Sequence, residues 1–125
     1  MKKLILLFFF ISTQLQAQTK NTDSLLPVKK YLFELKQTVN SGKMKKSKMI
    51  KLERLIRTGM TQREIFTRNI KRMKNKEEAE EMIKMFNFIL QSAILYKSDV
   101  KKNYSGYSEG TFLNTNIPLL MQKME

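Results

Sequence analysis

The 125-residue chain contains no cysteine, no histidine and no tryptophan. The first absence excludes disulfides, thiolate nucleophiles and thiolate metal sites; the second removes the imidazole base and the commonest transition-metal ligand. Most mechanisms open to a small enzyme go with them, so no catalytic residue is assigned and no cofactor or metal is expected. Glycine (4) and proline (2) are also scarce, which leaves few positions able to stop a helix. No alternating apolar–polar run is long enough for a strand, and an all-α fold is expected. Acidic residues are the last shortage: 11 Asp plus Glu face 24 Lys plus Arg, a formal charge of +13. An imbalance of that size points to an anionic partner.

What is present begins with a segment of its own. Lys2 and Lys3 precede an unbroken apolar run, Leu4 to Ile11, and a polar stretch that ends in Leu15-Gln16-Ala17-Gln18. The layout resembles the signal peptide of bacterial exported proteins, with cleavage after Ala17. The run is far short of the roughly 20 apolar residues that cross a hydrocarbon core, so no transmembrane span is expected. Without cysteine, no lipid can be attached there in the lipoprotein manner. The expected mature chain, Gln18 to Glu125, keeps 108 residues and a charge of +11. A domain of that size buries roughly 65% of the surface its unfolded chain exposes. With no disulfide to help, helix packing, self-association into a homo-oligomer or a partner must supply the stability.

Helix signals divide the rest. A first helix is expected from about Leu25 to Asn40, with Val28, Leu32, Leu35 and Val39 on one stripe and Ser41-Gly42 as its stop. A second spans roughly Lys45 to Thr58, with Met49, Leu52, Leu55 and Ile56 inward and Gly59 ending it. Thr61 and Glu64 fit a capping box that opens a third helix carrying Ile65, Phe66, Ile70 and Met73. Asn75 with Glu78 gives a further cap signal, followed by the longest periodic stretch, from Ala79 through Met82, Ile83, Phe86, Leu90, Ala93 and Ile94 to Val100. The third and fourth helices could run on as one rod. Asn103 to Asn116, rich in Gly, Ser, Thr and Asn, reads as a loop, and a short helix closes the chain from Pro118 to Met124. The expected architecture is a small three- to four-helix antiparallel bundle or extended helical hairpin. It divides into leader 1–17, bundle 18–102, and loop with terminal helix 103–125.

The charge is not spread evenly. Between Lys43 and Lys76 stand 13 Lys plus Arg and only two acids, Glu53 and Glu64. The remainder of the mature chain is electroneutral, so the whole excess of +11 lies in one block. Lys45, Lys46, Lys48, Lys51, Arg54, Arg57, Arg63, Arg68, Lys71, Arg72 and Lys74 are the candidate contacts for an anionic partner. The acidic run Glu77, Glu78, Glu80 and Glu81 has a plainer role: it complements a helix N-terminus and offers Lys84 an i,i+4 partner.

Several short segments resemble functional motifs. Gly59 to Ile65 resembles the opening of the helix-turn-helix in resolvase-type DNA-binding domains. Phe66 and Ile70 stand where that family has a small residue and a turn glycine. Ser98-Asp99-Val100-Lys101 fits the S-x-x-K nucleophile motif of penicillin-recognising enzymes, which also need two further motifs that are absent. Glu34, Glu53 and Glu64 could serve a cell-wall glycosidase, but no pair is singled out. A basic chain bearing methionines on its helix stripes is similar in build to small periplasmic chaperones, whose thioethers adapt to varied partners. It lacks the first and last residues of the cradle-shaped family's L-T-x-x-Q motif. Tyr104, Tyr107 and Phe112 fall in the expected loop and either dock into a partner or pin the loop to the bundle. The function expected is therefore non-enzymatic. An exported helical protein turns a basic face to an anionic envelope surface or an acidic envelope protein, as an accessory or chaperone-like component. A small cell-wall hydrolase and a nucleic-acid-binding protein are the alternatives.

Overall fold

The structure is a computed structural model that describes residues 15–42 and 45–125, with backbone alone for 15–23. Most of the expected leader, residues 1–14, and Lys43 of the basic block lie outside the described residues. Four helices and no strand are found among the described residues: α1 (Leu15–Val39), α2 (Lys45–Met73), α3 (Lys76–Lys101) and α4 (Tyr107–Lys123). Each is too short in apolar run to cross a membrane.

Successive helices pack side by side and reverse direction at each connection. The carbonyl of Ser24, in the first half of α1, accepts from Asn69 near the end of α2, while Lys48 at the start of α2 reaches Val39 at the end of α1. Lys45 likewise meets Lys101, and Arg63 meets Asn87, so α3 runs back along α2. A reciprocal amide pair, Asn40 with Asn114 at 2.6 and 2.9 Å, ties the end of α1 to α4.

The core is built from the expected stripes. Val28, Leu32, Leu35 and Val39 of α1 are buried against Leu52, Leu55, Phe66 and Ile70 of α2 and Ala79, Met82, Phe86 and Ala93 of α3. Phe66 and Phe86 stack with centroids 5.0 Å apart, and Tyr31 stacks on Phe86 from the other side at 6.4 Å. Offset aromatic pairs of this kind add to plain area burial.

Three boundaries differ from those the sequence suggests. The second and third expected helices are one, because Gly59 lies buried in the middle of α2 and does not stop it. A Cβ there would come within 2.8 Å of a Leu90 methyl and 2.9 Å of the Tyr31 hydroxyl. Glycine is thus present for close approach of α1 and α3, not for a turn. Thr61 and Glu64, the supposed capping box, are exposed mid-helix residues. The break falls instead at Lys74–Asn75, where the Asn75 side chain accepts from the Glu78 amide at 2.8 Å as its cap signal indicates, so the third and fourth expected helices do not run on as one rod.

At the other end, α1 begins ten residues before Leu25, which leaves Pro27 inside a helix. The loop expected over 103–116 contracts to 102–106. Leu113, Ile117 and Leu120 give α4 a fully buried stripe, and that burial overrides the weak helix preference of its Gly, Ser, Thr and Asn residues. Pro118 sits inside α4 with its ring exposed. Gly106 takes a left-handed φ of 65°, and a Cβ on it would strike the Tyr96 ring at 2.7 Å, so the connection turns tightly around that ring.

Candidate anion-binding face

Joining two expected helices into one changes the shape of the basic block. With 29 residues, α2 is a rod about 43 Å long carrying ten of the eleven candidate cations, and Lys74 follows directly after its last residue. Lys46, Arg57 and Arg68 recur at intervals of eleven residues, three helical turns, and so form a line along the side opposite the buried Leu52, Leu55 and Phe66. All three are exposed, as are Lys51 and Lys71.

The remaining candidates are engaged with the bundle itself. Lys48 is half-buried; its ammonium donates to the Val39 carbonyl at 3.2 Å and to the Tyr96 hydroxyl at 3.0 Å, and lies 5.5 Å from the centre of that ring. It caps the C-terminal end of α1, where a cation complements exposed carbonyls. Lys45 does the same for α3, donating to the Lys101 carbonyl at 3.3 Å and to Asn103 at 2.6 Å. Arg54 pairs with Glu34, the one ion pair among the described residues. Arg63 donates to Asn87, and Arg72 to its neighbour Asn69. Lys74 is half-buried in a shallow pocket with Glu78, Glu81 and Lys123. The eleven cations therefore fall into two groups: structural Lys45, Lys48, Arg54, Arg63, Arg72 and Lys74, and five that project freely.

The aromatic candidates do not act together. Only Tyr104 remains in a connection, where it is exposed; Tyr107 opens α4 and is exposed; Phe112 is on α4, half-buried and packed against the core. The acids proposed for glycosidase chemistry are likewise dispersed: Glu34 is taken by Arg54, while Glu53 and Glu64 are exposed along α2. Among the described residues no three acidic groups converge as a metal site would need. Among the described residues Tyr31 is the one titrating group clearly displaced: burial, helped by the charge of Glu34, pushes its hydroxyl above the ordinary value. That hydroxyl donates to the Leu55 carbonyl at 2.6 Å, a packing role.

A second feature of this side of the bundle was not visible in the sequence. The seam between α2 and α3 carries a shallow groove of about 340 Å³ with Ile56, Met60, Leu90 and Ile94 on its walls. Met60 and Ile94 are at least half exposed, as are Ile50 on α2 and Leu95 on α3. Helical spacing places Ile94 in the core; in the structure it is half exposed on the wall of this groove. Further along the seam a groove of about 570 Å³ is lined by Lys45, Lys46, Lys97 and Lys101, with Met49, Ile50 and Glu53. Lys97 and Lys101 lie outside the basic block of the sequence and join it only through the fold. Compared with protein-family models, with curated proteins and with solved structures, the chain matches none, so a functional reading rests on the chemistry of this face.

Proposed function

We propose that this chain is an exported, non-enzymatic binding protein. It holds an anionic surface of the bacterial cell envelope, or an acidic protein there, against the outer side of α2. The observation that carries this reading is the line Lys46, Arg57, Arg68, with Lys51 and Lys71 beside it: five exposed cations with no ion pair among the described residues. Two acids, Glu53 and Glu64, are all that the same helix sets against ten Lys and Arg. Uncompensated charge of one sign on one side of a small domain repels itself, and an anionic partner relieves that repulsion. Its attraction is long-ranged and is screened by salt over about 10 Å at 0.1 M.

The proposal also places the chain outside the cytoplasm, with the leader cut after Ala17. Two measurements test it together. Binding of the purified chain to lipopolysaccharide and to phosphatidylglycerol vesicles should fall steeply as salt is raised. N-terminal sequencing of the chain recovered from cells should begin at Gln18. Affinity that is the same at low and high salt removes the electrostatic reading, and an uncleaved cytoplasmic chain removes the export.

A further inference from the structure

We infer that the α2/α3 side of the bundle is a membrane-docking face that seats on an anionic phospholipid bilayer. Met60, Ile94 and their neighbours enter the headgroup–acyl boundary while the flanking lysines hold phosphates. This deepens the binding role proposed above, and rests on it for the charge.

Three observations converge on one side of the molecule. Large apolar side chains, Ile50 and Met60 on α2 and Ile94 and Leu95 on α3, stand at least half exposed. Met60 and Ile94 meet across one groove with Ile56 and Leu90, and apolar surface gathered in this way marks an interaction site more often than scattered exposure does. Lys46, Lys97 and Lys101 line the adjoining groove beside Lys45, whose ammonium is held by the Lys101 carbonyl and Asn103; Glu53 is the only acid there, and Arg57 and Lys84 are exposed on the same two helices. Long cationic side chains beside projecting apolar ones match the two layers of a bilayer interface: the ammonium groups reach phosphate while the methyl groups go deeper. No helix among the described residues is long and apolar enough to span, so contact would be from one surface only.

Other occupants fit this face less well. A second copy would bring Lys46, Lys97 and Lys101 against another set of cations, with Glu53 as the one acid in the groove to offset them. A single partner helix lying in the seam would cover Met60 and Ile94 but leave Ile50 and Leu95, which stand on the ridges to either side, in water. A planar layer with negative headgroups covers all four and neutralises the lysines as well.

The absence of tryptophan gives a clean test. In Ile94→Trp the new indole is the single one in the chain, and Phe33→Trp places it at an exposed position on α1 as a control. Each variant is mixed with vesicles of equimolar phosphatidylglycerol and phosphatidylcholine, and with phosphatidylcholine alone. Circular dichroism first confirms that each retains the wild-type helical signal. The Ile94→Trp emission should shift to the blue with the anionic vesicles and be quenched by brominated acyl chains, while Phe33→Trp stays unshifted. Met60→Ser with Ile94→Ser should weaken vesicle binding about tenfold with the charge unchanged.

Vesicle binding with an unshifted Ile94→Trp would overturn insertion while leaving the electrostatic role intact. An equal shift of both indoles would overturn the choice of face. Failure to bind anionic vesicles, with retained salt-sensitive binding to an acidic protein, would replace the bilayer by a protein partner.

Discussion

Gly59 offers the sharpest test of how the bundle is packed, through the pair Gly59→Ala and Tyr31→Phe. An alanine in a free helix interior stabilises by about 1 kcal/mol relative to glycine. Here its Cβ would lie 2.9 Å from the Tyr31 oxygen and 2.8 Å from a methyl of Leu90. Overpacking a closed interior costs about 1–3 kcal/mol. The half-buried Leu90 can rotate outward, but the Tyr31 hydroxyl is held by its 2.6 Å bond to the Leu55 carbonyl. Gly59→Ala alone should therefore lose about 1 kcal/mol net, or about 4 °C in Tm for a chain of this length. Tyr31→Phe removes one net hydrogen bond and should also lose about 1 kcal/mol. The Leu55 carbonyl keeps a second donor, the Thr58 hydroxyl at 3.2 Å. Once the oxygen is gone, the alanine no longer meets it, and the helix gain reappears. The double variant should then be about as stable as Tyr31→Phe alone or slightly more so, a coupling of about 1–2 kcal/mol between the sites. Urea unfolding of the four proteins, followed by circular dichroism, measures it. If Gly59→Ala raises stability in the wild-type background, or if the two effects simply add, Gly59 does not lie where α1 and α3 close on α2.

Other consequences are simpler to read. Lys48→Met should lose about 1–2 kcal/mol, because its ammonium joins the end of α1, the start of α2 and Tyr96 of α3; an unchanged unfolding midpoint would refute that role. Asn75→Ala should lose about 1 kcal/mol as the α3 N-cap, whereas Thr61→Ala, at the supposed capping box, should change little. The raised Tyr31 value means that the folded state keeps its phenolic proton at pH values where the unfolded chain has released it. Stability is therefore fully present below about pH 10 and falls as pH rises above that. The decline should be shallower in Tyr31→Phe, and equal pH profiles for the two proteins would contradict it.

Much of this architecture can be read from apolar spacing, and the exceptions have definite causes. Val28, Leu32, Leu35 and Val39 recur at intervals that only a helix satisfies, and all four are buried. Asn75 and Glu78 mark a helix start because the side-chain oxygen and the amide three residues on meet in space. Thr61 and Glu64 spell the same signal without meaning it, since Phe66 and Ile70 carry the core stripe straight on from Leu52 and Leu55. A glycine looks alike in sequence whether it ends a helix or admits a neighbour; only the Tyr31 hydroxyl and Leu90 beside Gly59 distinguish the two. Local propensity makes Tyr107 to Asn116 look like a loop, whereas Leu113, Ile117 and Leu120, at a spacing of four and three, carry the helical signal that burial enforces.

Of the basic face, the block itself was legible and its division was not. Nothing in the letters separates Lys48, turned onto Tyr96, from Lys46, turned to solvent two residues earlier. Nor does any local pattern join Lys97 and Lys101 to Lys45, a contact made by two helices passing side by side. Ile94 reads as core because apolar residues at helical spacing generally are.

The account stands most directly on the freedom of the exposed α2 cations to meet an anionic partner. Arg57→Glu with Arg68→Glu changes two members of that line while touching no hydrogen bond or ion pair described above. Each basic residue near an anionic bilayer contributes about 1 kcal/mol. Affinity for phosphatidylglycerol-containing vesicles at low salt should therefore fall at least about thirtyfold, with the unfolding midpoint unchanged. Equal affinity of wild type and variant under those conditions would contradict the proposal that α2 presents the binding surface.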